Sequence, residues 1–119
     1  MNPPLPDVLA VRRTPDTDQV NIDLHVPAGL AHFAGHFPGL AILPGVVQID
    51  WAVHFAREHF ALDGEFTMLE NIKFQAIVLP DARLELLLNW NAENRYLEFA
   101  FSGKTQKYSH GRLVFGGGL

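Results

Sequence analysis

The stretch that decides how this chain folds is 35-GHFPGLAILPGVVQIDWAV-53. Two prolines and three glycines punctuate it, and a single carboxylate, Asp50, stands in its apolar second half. Pro44 and Gly45 sit where a helix can begin, since the first turn needs neither a proline N–H nor a side chain at the glycine. The pattern predicts a helix over Gly45–Phe60. Its apolar residues nearly encircle the wheel: Val46, Val47, Ile49, Trp51, Ala52, Val53, Phe55, Ala56 and Phe60. Such a helix is expected to be wrapped by other structure. Asp50, His54 and Arg57 form a narrow polar stripe at i, i+4 and i+7. A chain seeking only a core has no use for Asp50, because an unpaired buried carboxylate is costly.

Outward from this helix the chain reads as strands. VLAVRR (8–13) and QVNIDLHV (19–26) precede it, with Pro15 and Asp16 marking the turn between them. After Gly64 come FTMLENIKFQAIV (66–78), RLELLLNWNA (83–92), RYLEFAFSG (95–103) and KYSHGRLVFG (107–116). Asn91–Asn94 and Gly103-Lys104 suit hairpin turns. Two strands, one apolar helix and four strands make an α+β pattern. The simplest solution is one antiparallel sheet wrapped around one long central helix, the hotdog fold. The 119 residues are expected to form a single domain, with the proline-rich residues 1–6 loose.

Composition narrows the function. The formal net charge is −4 and no basic cluster stands out, so a nucleic-acid partner is not expected. The absence of cysteine excludes disulfides, thiolate metal sites and a cysteine nucleophile. The longest uncharged run, Phe37 to Ile49, is broken by two prolines and falls short of the roughly 20 residues of a spanning helix. With no signal-peptide pattern at the start, the expectation is a cytoplasmic protein away from membranes.

Of six histidines, His25, His59 and His110 read as ordinary surface or core residues, and the spacings of His54 with His59 and of His32 with His36 disfavour a metal site. His36 differs. GHFPG holds it on a rigid turn, with Phe33 and Phe37 as apolar neighbours, which favours a neutral ring able to accept a proton. For Asp50 two influences compete. Ile49, Trp51 and the valines before it would desolvate the group, while His54 or Arg57 would offer it a partner. Gly45 is a third candidate: its N–H, free at the helix start, suits an oxygen gaining negative charge, although a turn glycine needs no such role.

These residues carry a resemblance. GHFPGLAILPGVVQID resembles the active-site segment of the β-hydroxyacyl-acyl carrier protein dehydratases, in which a histidine and an acid stand fourteen residues apart, as His36 and Asp50 do here. NIKFQAIVLPDARLEL is similar to the family's second recurring segment. Departures include Ala41 where the family has proline, Asp50 where the commoner branch has glutamate, and His54 where glutamine is frequent. LPGVVQIDW further resembles small dehydratases of aryl-polyene and polyketide synthesis.

The resemblance implies dehydration of a (3R)-3-hydroxyacyl thioester, held on the phosphopantetheine of an acyl carrier protein, to the trans-2-enoyl thioester. His36 takes the C2 proton, the Gly45 N–H holds the thioester oxygen, and Asp50 helps the C3 hydroxyl leave. Phe33, Phe37, Pro38, Gly39, Val46 and His54 are the expected substrate-binding residues. No metal or redox cofactor is expected. The family further implies a homodimer whose sites each join His36 of one subunit to Asp50 of the other. Two other readings remain: a hotdog thioesterase, and a non-catalytic module that binds acyl thioesters or carrier protein.

Overall fold

Alternation of buried apolar residues with less buried ones sets the inner face of the sheet. In strand β2 (Gln19–His25), Val20, Ile22 and Leu24 are fully buried while the residues between them are half-buried. Strand β4 (Arg83–Asn91) repeats the pattern with Leu84, Leu86, Leu88 and Trp90, and β5 (Tyr96–Ser102) with Leu97, Phe99 and Phe101. A period of two puts every second side chain on one face, and branched or aromatic groups fill a pleated surface well. The computed structural model describes residues 5–29 and 42–116, and these strands carry its core.

The remaining elements are β1 (Asp7–Arg13), helix α1 (Gly45–His59), β3 (Phe66–Phe74) and β6 (Lys107–Phe115). The six strands form one antiparallel sheet in the order β1-β2-β4-β5-β6-β3. Helix α1 lies between β2 and β3 in the chain and packs on the sheet's inner face, touching β4. This is the hotdog architecture expected from the element order. Trp51, Ala52, Phe55 and Ala56 face the sheet, and burying each large side chain stabilises the chain by roughly 1.5–3 kcal/mol. Leu5 packs against the same core.

Two expectations are corrected. Strand β3 ends at Phe74 rather than running to position 78. Its register with β6 breaks between Glu70 and Lys73, where Asn71 takes a positive φ of 54°. Beyond Phe74 the chain leaves the ladder: the Gln75 and Ala76 N–H groups share the Tyr108 carbonyl, and Val78 O accepts from Leu43 N–H. The bulge turns Ile72 inward over Gly111, where any side chain would overlap it. Second, α1 is not wrapped on all sides by the described residues. Val46, Asp50, Arg57 and Glu58 are exposed. The sheet covers one face of the helix, and among the described residues the other is left uncovered at these positions.

Among the described residues, no helix is long and apolar enough to cross a membrane.

Candidate active site

The first turn of α1 is held by what surrounds Gly45. Pro44 is the N-cap, in extended conformation, and offers no side chain to the helix start. Its carbonyl accepts from Val47 N–H at 3.1 Å and Gln48 N–H at 3.3 Å. Gly45 is the first helical residue, so its own N–H has no acceptor within the helix. The Phe74 ring lies against it: a Cβ at position 45 would stand 2.6 Å from Phe74 Cζ. Only glycine fits beneath the ring in this position. The positive end of the helix dipole and the free N–H together make this a place for an anionic or carbonyl oxygen.

Asp50 stands on the open face. The expected desolvation by its sequence neighbours does not occur within the chain, because Ile49 and Trp51 turn toward the core while Asp50 is exposed. Adjacent helical residues diverge by about 100°, so an apolar flank in sequence is not an apolar flank in space. Neither expected partner reaches it. His54 Nε2 meets Glu58 Oε1 at 2.8 Å. Arg57 donates to Gly64 O at 3.0 Å and lies over the Phe115 ring at 5.6 Å. Among the described residues Asp50 has no hydrogen bond or ion pair. Val46, one turn earlier, is 66% exposed, and His54 is half-buried. The structure thus places Gly45, Val46, Asp50 and His54 on one helix. His36, Phe33, Phe37, Pro38 and Gly39 lie outside the described residues.

Several features escape a reading of the sequence. Ser109 Oγ–H donates to Gln48 Oε1 at 2.7 Å, with both residues buried. The signal was present: each is a polar residue at a position whose periodicity faces the core. His25, read as an ordinary histidine, has Nδ1 2.9 Å from Asp7 Oδ2 and Nε2 3.3 Å from Asp81 Oδ1. The hydrogen bond to Asp7, and secondarily the contact with Asp81, raise its pKa above the ordinary histidine value against the opposing effect of burial. Finally, β3 and the segment after it expose Met68, Leu69, Phe74, Ile77 and Leu79. An apolar edge strand of this kind is a template for association.

Known proteins fit this frame. A family model for ApeI-like proteins, described as ApeI dehydratase, matches residues 12–112. A 3-hydroxyacyl-acyl-carrier-protein dehydratase FabZ from Erythrobacter litoralis is 35% identical over 81 residues. That match takes in 60% of this chain and 53% of the relative, so the chain spans about half the length of the curated relative it matches. A solved structure of an uncharacterized protein from Erwinia carotovora subsp. atroseptica is 39% identical, with a TM-score of 0.83 over 94% of this chain and 96% of that one. The dehydratase heterocomplex ApeI:P from Xenorhabdus doucetiae contains a chain 32% identical, with a TM-score of 0.85 over 92% of this chain and 96% of that one. The dehydratase domain of the polyketide PpsC from Mycobacterium tuberculosis, 18% identical with a TM-score of 0.68, shares the fold and covers 94% of this chain and 44% of that one.

Proposed function

Since this chain belongs to the ApeI-like dehydratase family, we propose that it removes water from (3R)-3-hydroxyacyl thioesters carried on acyl carrier protein. The product is the trans-2-enoyl thioester, in an aryl-polyene or fatty-acid-like synthesis. His36 takes the C2 proton, and the electron pair of the broken C2–H bond forms the new double bond as the C3–oxygen bond breaks. The Gly45 N–H stabilises the charge that gathers on the thioester oxygen. Asp50 hydrogen-bonds the C3 hydroxyl and assists its departure as water. The reading needs no metal or redox cofactor and fits a cytoplasmic enzyme. The observation that carries it is an exposed Asp50 carboxylate, without a partner among the described residues, on the helix whose first N–H, at Gly45, has no acceptor within the helix.

That geometry supports a site shared between two chains. Five residues separate Gly45 from Asp50, about 7–8 Å along the helix and about 140° around it. The thioester oxygen and the C3 hydroxyl are only two carbons apart. One substrate therefore draws its N–H from one chain and its carboxylate from another, and a homodimer provides two such sites by symmetry. The open face of α1 and the exposed apolar edge at β3 are the surfaces such a partner would cover.

The test is direct. Incubated with a 3-hydroxyacyl thioester, the protein should yield a product lighter by one water; release of free thiol would make it a thioesterase, and tight binding without turnover a silent binding module. Refolding a mixture of His36→Ala and Asp50→Asn chains then examines the shared site. Half the dimers are mixed and carry one intact site, so activity returns to about a quarter of wild type by symmetry. A mixture as inactive as its parents, with mixed dimers present, defeats sharing. The solved ApeI:P structure is a heterocomplex. If this chain is monomeric and inactive alone but turns over with a second, different dehydratase subunit, the homodimer is replaced by that arrangement.

A further inference from the structure

The first turns of α1 meet the sheet at two adjoining points. Phe74 on β3 and Ser109 on β6 are register partners. Phe74 presses on Gly45, and Ser109 Oγ–H donates to Gln48 Oε1 at 2.7 Å. Gly45 and Gln48 are i and i+3, neighbours on one helical face. Asp50 lies about 200° round the helix from Gln48, on the side away from the sheet.

A polar pair is an odd choice for such a place. Gln48 is 2% exposed and Ser109 1% exposed. Replacing both partners of a buried hydrogen bond by apolar groups of similar shape is often neutral or stabilising. Apolar contact, however, is not directional. Ala52, Phe55 and Ala56 are buried against the sheet, and the Leu43 N–H to Val78 O bond anchors the chain just before the helix. The short Ser109–Gln48 bond adds a directional tie within the first turns themselves.

We propose that the buried Ser109–Gln48 pair is a positioning device for the site. With Phe74 against Gly45, it sets the height and rotation of the first turns of α1, and so where the Gly45 N–H and the Asp50 carboxylate stand. Neither Ser109 nor Gln48 touches the reacting atoms. The proposal rests on the dehydratase reading for its kinetic consequence, but not for its structural one.

The experiment separates stability from position. Ser109→Ala alone and Gln48→Met alone each leave a buried polar group unsatisfied, so both lower Tm and kcat. The double variant Gln48→Met/Ser109→Ala removes both polar groups and regains the wild-type Tm. Its kcat stays lower by roughly tenfold, the scale of a small misplacement of reacting groups. KM stays within about twofold, because ground-state binding is unaffected. A pair that merely stabilised the fold would return kcat together with Tm, and that result overturns the proposal. If the methionine double variant folds poorly, Gln48→Leu/Ser109→Ala serves in its place. Amide hydrogen exchange gives a readout without substrate: the Val47 and Gln48 N–H groups, which bond to Pro44 O, should exchange faster in the double variant at equal Tm. Unchanged protection overturns the proposal too. A wild type that dehydrates no thioester sinks the functional reading, and the exchange result then decides the positional claim by itself.

Discussion

Asp50 and Trp51 are adjacent in the chain and opposite in environment. Trp51 is fully buried on the sheet side of α1, while Asp50 is exposed on the open side with no partner among the described residues. The sheet side of the helix explains why the protein folds. On the open side, Asp50 has no hydrogen bond or ion pair with the described residues, and Val46 beside it is 66% exposed. On the proposed function, such a helix divides its work between holding the fold and presenting chemistry.

The sharpest way to break that contrast is to mutate across it. Asp50→Asn should lower turnover by roughly 10²–10⁴, the range for one acid or base group. Its thermal stability should stay within about 0.5 kcal/mol of wild type, as for an unpaired surface residue. Trp51→Ala should cost about 3–5 kcal/mol, through lost burial and the cavity left behind. Denaturant melts and steady-state kinetics on both variants decide the matter. A large loss of stability in Asp50→Asn would show that the carboxylate is structural after all. That outcome would return the open face to the fold.

Next in size is Val46→Asp. Val46 is 66% exposed in the single chain, so the change should cost the monomer no more than about 0.5 kcal/mol. If a second subunit covers this face, the new charge is buried at the contact, and the assembly dissociates with loss of activity. Sedimentation of the variant beside wild type reads this out. An unchanged mass and unchanged turnover would place the subunit contact elsewhere.

How much of this was legible beforehand follows from range. The six strands and the helix start at Pro44-Gly45 were readable because periodicity is local, and β2, β4 and β5 each carry their own record of which face is buried. The surroundings of Asp50 stayed open because sequence flanks are not spatial flanks: a helix sends Ile49 and Trp51 to other sides. The end of β3 was misplaced because Asn71 and Ile72 bulge only against β6, a partner the local sequence does not name. Ser109 and Gln48 lie 61 residues apart, and only the sheet register brings them together. Of the expected site, Gly45, Val46, Asp50 and His54 can be placed, whereas His36 and its neighbours lie outside the described residues.

A smaller effect is expected at the joint between the two faces. Gly45→Ala puts a Cβ 2.6 Å from Phe74 Cζ, the far end of a half-exposed ring that can swing aside. Alanine also favours the helix by up to about 1 kcal/mol over glycine. Stability should therefore change by less than about 1 kcal/mol. Turnover should fall roughly tenfold, since the displaced first turn carries the N–H donor. Adding Phe74→Ala makes room and should restore part of it. Full activity in Gly45→Ala would mean that the ring alone gives way and the first turn stays where it is.

The smallest effect lies off the helix, where charge is paired as Asp50's is not. His25 can donate to Asp7 and Asp81 together only as the imidazolium, with one N–H to each. Its pKa is raised in the folded chain, first by the hydrogen bond to Asp7, against burial, and then by Asp81. A raised histidine pKa means the folded state binds the proton more tightly than the unfolded state does. The stabilisation is therefore full below the unfolded value of 6.5 and fades as pH rises through the folded pKa. His25→Asn should lower Tm most near about pH 5.5, where the ring is charged, and least near about pH 9. The side chain is about a quarter exposed, so salt should narrow the gap as well. A Tm difference that grows with pH would mean that the folded chain holds His25 neutral, and that the link between β1, β2 and the turn at Asp81 is an ordinary hydrogen bond rather than an ion pair.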